Sequence, residues 1–203
     1  EKNPMRGNKQ LDNFFKLKNK RYSIVEDKIF GWYNPYTTTG RPVNNFNGIN
    51  FVGLKHNNGE RNCFIPENDY FLEIDYDGYH PRLIGNLIGY KFKQNVHEEL
   101  GHFYFNTKQL TKSLIKESKI KTFKQIYGGI KKENLFHPFF KHTQTYINKQ
   151  WDHFNKQGYV ETSGGKKIYK KNHENINKQK LFNYLIQSIE TETNIEIIGL
   201  INN

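Results

Sequence analysis

Two groups of residues in this chain could do chemistry. The first lies in the run Phe71-Leu72-Glu73-Ile74-Asp75-Tyr76-Asp77-Gly78-Tyr79-His80-Pro81-Arg82, where an acidic residue follows mostly apolar, β-type positions. A carboxylate at a strand's end, facing an open edge, is placed to hold a divalent cation. The plain alternative is that Asp75 only caps a turn. The second group is Lys119, Phe123 and Tyr127, four residues apart in the segment KSLIKESKIKTFKQIYGGI that starts at Lys112. On a helix they form one stripe. A cation, a ring and a phenol on one face could grip a phosphate, stack on a base and close over a base pair. The alternative is a lysine-rich amphipathic helix whose aromatics enter the core.

The elements that must position these residues can be read from the same segments. Phe71, Leu72 and Ile74 predict a short strand that stops at Asp75. Asp77-Gly78 is turn chemistry, and Pro81 suits a first helical position, where a missing N–H costs nothing. Leu83, Ile84, Leu87 and Ile88 then repeat at helical spacing towards Tyr90. Gly128-Gly129 ends the helix that carries the Lys119 stripe.

Together these segments resemble the family A DNA polymerases, the group of bacterial DNA polymerase I and many phage replicases. In that family a strand-end Asp is followed seven residues later by a helical Arg, here Asp75 and Arg82. The family's fingers helix carries Lys, an aromatic and Tyr-Gly at four-residue intervals, matched by Lys119, Phe123 and Tyr127-Gly128. Thr39-Gly40-Arg41 is similar to the Thr-Gly-Arg that opens the palm and touches primer–template. Arg61 with Phe64 resembles the Arg-x-x-Phe just before the first palm strand. Val96-His97 resembles the Ile/Val-His that contacts the incoming triphosphate. Gly158-Tyr159-Val160-Glu161-Thr162 resembles Gly-Tyr-Val-x-Thr, and Asn183 with Gln187 reproduces the Asn-x-x-x-Gln that reads the minor groove. The matches are collinear over nearly the whole chain.

Departures from the pattern are informative too. Where the family has a Glu crowding the sugar's 2′ position, this chain has His80, also bulky enough to exclude a hydroxyl. The Arg that begins the fingers stripe is replaced by Ile115, with Lys112 and Lys116 nearby. An Arg-rich stretch becomes Gly164-Gly165-Lys166-Lys167, which keeps charge but loses bidentate geometry. The family's second metal-binding Asp, in a His-Asp-Glu hairpin after the minor-groove helix, has no counterpart before Asn203. Asp77 is close to Asp75 but lies in the turn that follows it, and Glu190 and Glu192 fall too early. The expectation is a piece of a polymerase core, completed by a C-terminal segment or a second polypeptide.

The resemblance implies an α+β fold, a palm with a short antiparallel sheet and a largely helical fingers subdomain. Residues 1–21 would be the thumb base, 22–90 the first part of the palm, 91–157 the fingers, and 158–203 a hairpin and helix returning to the palm. The implied reaction is nucleotidyl transfer from a dNTP to a primer 3′-OH by two-metal catalysis. Asp75 and the carbonyl of Tyr76 would hold Mg²⁺, or Mn²⁺ in its place. His97 and Lys119 would neutralise the triphosphate, Phe123 would stack on the base or sugar, Tyr127 would hold the template-side position until the fingers close, and His80 would belong to the dNTP site. Arg41, Arg61, Asn183 and Gln187 would contact primer–template DNA, the minor-groove readers at acceptors that vary little with sequence. The setting implied is the cytoplasm, a host's if phage-encoded, or an organelle. A non-catalytic primer–template binding piece, and an RNA-binding or structural protein, stay open as other classes.

Composition fits these implications. In 203 residues, 31 Lys and Arg against 20 Asp and Glu give a net charge of +11, suited to tracking a phosphate backbone. No run approaches the roughly 18 apolar residues of a membrane span. One cysteine, Cys63, excludes an intramolecular disulfide framework, and the eight histidines show no paired spacing for zinc. Aromatics make up 15% of the chain, mostly Phe and Tyr. Set beside lysines, they suit stacking on unpaired bases as well as core packing.

Overall fold

A computed structural model describes residues 24–25, 28–44, 51–54, 61–71 and 73–201. The expected thumb-base helix in residues 1–21 lies outside them. The chain divides into two units, Glu1–Ile74 and Asp75–Asn203.

The first unit is built from small antiparallel pairs. Strand β1 (Ile24–Val25) pairs with β2 (Lys28–Ile29), and β3 (Tyr33–Asn34) pairs with β4 (Val43–Asn44) in the register Tyr33↔Asn44. The β3–β4 connection turns at Thr39-Gly40-Arg41. Gly40 N–H donates to the Thr37 carbonyl at 3.0 Å, and Thr39 Oγ1 accepts from Arg41 N–H at 3.4 Å. Two 3-10 turns follow, Phe51–Gly53 and Arg61–Cys63, joined by an edge-on contact of Phe51 and Phe64 at 5.3 Å.

Among the described residues, the strand expected before Asp75 does not form. Phe71 and residues 73–76 carry no strand pairing, and Phe71, Ile74 and Tyr76 are exposed. An extended segment becomes a strand only when a neighbour takes its backbone hydrogen bonds, and among the described residues none does. The next helix also starts earlier than expected, at Tyr79. Pro81 is then its third residue, still within the first turn, where N–H groups have no helical partner.

The second unit is five helices and a hairpin. Helix α1 (Tyr79–Ile88) is followed by α2 (Val96–Phe105), capped by Asn95, whose side chain accepts from His97 N–H at 2.9 Å. Helix α3 (Lys112–Gly128) starts at Thr111, whose hydroxyl accepts from Leu114 N–H. Helix α4 (Pro138–Gln157) leads through Gly158, at φ 78°, into β5 (Tyr159–Glu161). That left-handed turn favours glycine. Strand β6 (Lys167–Tyr169) pairs back with Val160↔Ile168, the hairpin expected at the start of residues 158–203. The long helix α5 (Lys178–Ile201) closes the unit.

Helix α5 organises the core because it is apolar on two sides. Phe182 and Ile186 join Ile84, Leu100, Ile126, Phe139, Phe140 and Ile147 in one cluster. Leu181, Leu185 and Ile189 join Phe154, Val160 and Ile168 in the other. Each set repeats every four residues, so the two stripes sit side by side on one helix. The first cluster fixes α1, α2 and α3 around α5, and the second fixes the hairpin.

Candidate functional site

The stripe predicted on α3 forms. Lys119, Phe123 and Tyr127 line an open groove of about 960 Å³, together with Lys116, Ile120, Lys124 and Gly128. Among the described residues, every one that lines it belongs to α3. The helix buries a different face, through Ser118, Thr122, Gln125 and Ile126. Phe123 and Tyr127 lie parallel, 5° between ring planes and 5.9 Å between centroids.

Residues distant in sequence extend the stripe. The His97 ring lies 6.1 Å from Phe123, and His80 sits edge-on to Tyr127 at 5.7 Å and to Phe123 at 6.5 Å. His97, Phe123, Tyr127 and His80 therefore make a continuous row of rings beside the lysines. His97 is 7% exposed, and its Nδ1 is buried without a hydrogen-bond partner. Burial lowers its pKa below 6.5, the nearby Lys119 ammonium pushes the same way, and Asp77 opposes them. The imidazole is thus mostly neutral at neutral pH.

His80 is held from two directions. Its Nδ1 meets the Tyr127 hydroxyl in a short hydrogen bond, and its Nε2 lies 3.2 Å from a Glu190 carboxylate oxygen. That second contact has ion-pair distance but lacks hydrogen-bond alignment, so we read it as electrostatic. It ties α1 to α5, while Tyr127 ties both to α3. Helix α5 also holds the end of α3 directly. Asn183 donates to the Tyr127 carbonyl at 3.2 Å, and Gln179 donates to the Ile126 carbonyl. These carbonyls are among the last of α3 and lack helical partners. Gln187 follows one turn after Asn183, half-buried.

No cluster of metal ligands forms among the described residues. Asp75 is exposed, and its Oδ1 accepts from the N–H of Tyr76 at 2.8 Å. Asp77 is taken up by Arg82, at 3.2 Å from its guanidinium, and by Asn95 at 3.4 Å. Glu190 is against His80. Glu192 accepts from the Thr162 hydroxyl at 2.5 Å and from Gly164 N–H at 3.2 Å. Among the described residues no three of His, Cys, Asp and Glu converge on one point. A bridging pair of ions needs shared carboxylates, so these residues do not fit one.

Arg41 and Arg61 belong to the first unit. Arg41 is exposed at the β3–β4 turn. Arg61 donates through Nε to the Leu54 carbonyl at 3.4 Å and lies 3.7 Å from Glu73.

The fold matches a known architecture. The POL domain of Pol1 from M. smegmatis, solved in complex with DNA primer-template and dNTP, superposes with a TM-score of 0.67 over 93% of this chain. The chain has the fold of a polymerase domain. Sequence identity is 16%, and the match spans 41% of the Pol1 chain, so what the two share is the fold. No family model and no curated protein matches the sequence. The expected α+β architecture, short antiparallel strands with a largely helical second unit, is the one observed. No helix among the described residues is long and apolar enough to cross a membrane.

Three site features escape sequence reading. Glu190 as the partner of His80 has no local signal, since the two are far apart in the chain. The engagement of Asp77 with Arg82 depends on how the turn before α1 folds, which the spacing of the two residues does not show. The grip of Gln179 and Asn183 on the end of α3 depends on helix packing alone.

Proposed function

We propose that this chain is the nucleotide- and primer–template-binding core of a family A-type DNA polymerase, serving template-directed transfer of a nucleotide from a dNTP to a primer 3′-OH. The observation that carries the proposal is the α3 groove: Lys119, Phe123 and Tyr127 on one face of one helix, in a polymerase-domain fold. Lys119 meets triphosphate charge, with Lys116 and Lys124 beside it. The neutral His97 can donate one hydrogen bond to a phosphate oxygen without adding charge. Phe123 offers a ring face to the incoming base or sugar, and Tyr127, tethered to His80, stands where the template side would lie. Arg41, Arg61 and the Asn183–Gln187 face of α5 are assigned to primer–template.

Polymerase chemistry calls for Mg²⁺, with Asp75 and the Tyr76 carbonyl as its first ligands. The described residues bring no second carboxylate to Asp75, so no catalytic step is built on them. A further segment or a partner polypeptide would supply it. That gap favours a second reading, a polymerase-like piece that binds primer–template and dNTP without catalysis.

Fluorescence anisotropy with labelled primer–template tests the proposal. A dNTP complementary to the next template base should tighten DNA binding, and a mismatched one should not. Lys119→Ala should weaken the dNTP response about tenfold, the effect of losing one charge-assisted contact, and leave binary DNA binding nearly unchanged. An affinity indifferent to dNTP would sink the proposal. Primer extension with Mg²⁺ separates the two readings, and Asp75→Asn, which keeps shape and removes charge, isolates the metal from folding.

A further inference from the structure

We infer that the outer face of the β5–β6 hairpin binds an unpaired nucleic-acid strand, at a surface of its own apart from the α3 groove. The inference goes beyond the proposed function and does not depend on it. The hairpin alternates cleanly. Val160 and Ile168 are buried against α5, so Tyr159, Glu161, Lys167 and Tyr169 face outward. The register sets Tyr159 directly across from Tyr169, with ring centroids 5.9 Å apart and planes tilted by 45°.

Cations cover one face of each ring. Lys167 lies 4.8 Å from the Tyr159 centroid, and Lys171 lies 5.6 Å from that of Tyr169. Tyr169 nevertheless remains 40% exposed. The acid on this face, Glu161, is neutralised across the ladder by Lys167 at 3.6 Å. Lys170 donates to Asn155 at 2.7 Å, which anchors a further ammonium at the strand's end.

Outward-facing tyrosines, Tyr169 exposed and Tyr159 half-buried, with ammonium groups against their faces do two things for one ligand. A ring with an open face stacks on any base, and the flanking cations take the backbone phosphates. Paired bases hide their faces within the duplex, so the ligand that uses both features is single-stranded. A plain polyanion would use only the lysines.

The test is anisotropy of the full chain with a labelled oligothymidylate of about 12 nucleotides, within the site sizes known for single-strand binders. No primer or dNTP is present. Tyr169→Ala should weaken binding about tenfold, the lower-middle of what stacking of one base contributes, while Tyr169→Phe retains affinity. Replacing both Lys170 and Lys171 by Ala should flatten the salt dependence by about 1.4 in log–log slope. Inorganic polyphosphate should lose affinity in the lysine variant and not in Tyr169→Ala. If Tyr169→Ala melts early, Tyr169→Leu gives the same readout, since it keeps apolar cover without a π face. Unchanged oligothymidylate binding in a folded Tyr169 variant overturns the inference. Tighter, Tyr169-dependent binding to anionic phosphatidylglycerol vesicles would overturn it in favour of a membrane surface.

Discussion

His97 shows how one residue's chemistry follows from its neighbours. Its ring is buried beside a cation, and both conditions disfavour the imidazolium. His137, half-buried between α2 and α4, is lowered by burial in the same sense. A histidine with a folded pKa below its unfolded value costs nothing above pH 6.5, the ordinary value, where both states are neutral. As pH falls below 6.5 the unfolded chain takes up the proton first, so stability declines until the folded pKa is passed. Urea unfolding from pH 8 to pH 5 should therefore give midpoints that are flat at first and then fall. His97→Gln should reduce that decline, and an equal acid loss in the variant would remove His97 as its source. The stripe of Lys119, Phe123 and Tyr127 was legible in sequence because helical spacing alone aligns it. The Tyr127–His80–Glu190 contact was not, because it joins three helices.

At the scale of elements, the hairpin is fixed to α5 by Glu192. A Cβ on Gly164 would come 2.6 Å from the Glu192 carboxyl carbon, so this position admits nothing larger than glycine while Glu192 holds its place. Gly164→Ala should push that side chain aside and weaken its bonds to the Thr162 hydroxyl and the Gly164 N–H, costing about 1–2 kcal/mol. In a Glu192→Ala background the same substitution should cost close to nothing, and a double-mutant cycle of unfolding free energies reads the difference. Additive costs would show that the tight contact is harmless. The two stripes of α5 make a similar argument for the core. Phe182 is 1% exposed at the centre of one cluster, and Phe182→Ala should lose about 3–5 kcal/mol on thermal unfolding. The failed strand before Asp75 belongs to this scale as well: its composition is β-like, and its pairing is missing among the described residues.

For the molecule as a whole, charge is the leading property. A net charge of +11 predicts binding to DNA through phosphates. Each phosphate neutralised on a duplex should contribute about −0.9 to the slope of log affinity against log salt, and sequence should matter little. Titrations of primer–template across a range of salt, with two unrelated sequences, test both statements. An affinity insensitive to salt would mean that the chain's excess of cations does not track the backbone.

Sequence alone determined the parts that depend on local periodicity and local turn chemistry. The Leu83–Ile88 repeat, the Lys119 stripe and a hairpin opening residues 158–203 could be read because each is set by residues close together in the chain. Tertiary structure alone decided which side chains meet across elements. It set His80 against Glu190, turned Asp77 towards Arg82, and let Asn183 and Gln179 close the end of α3. It also left Asp75 exposed without a paired strand. The physical reason is the same in each case: helix and turn preferences act over a few residues, whereas strand pairing and side-chain partnership need a second segment brought alongside by the packed core.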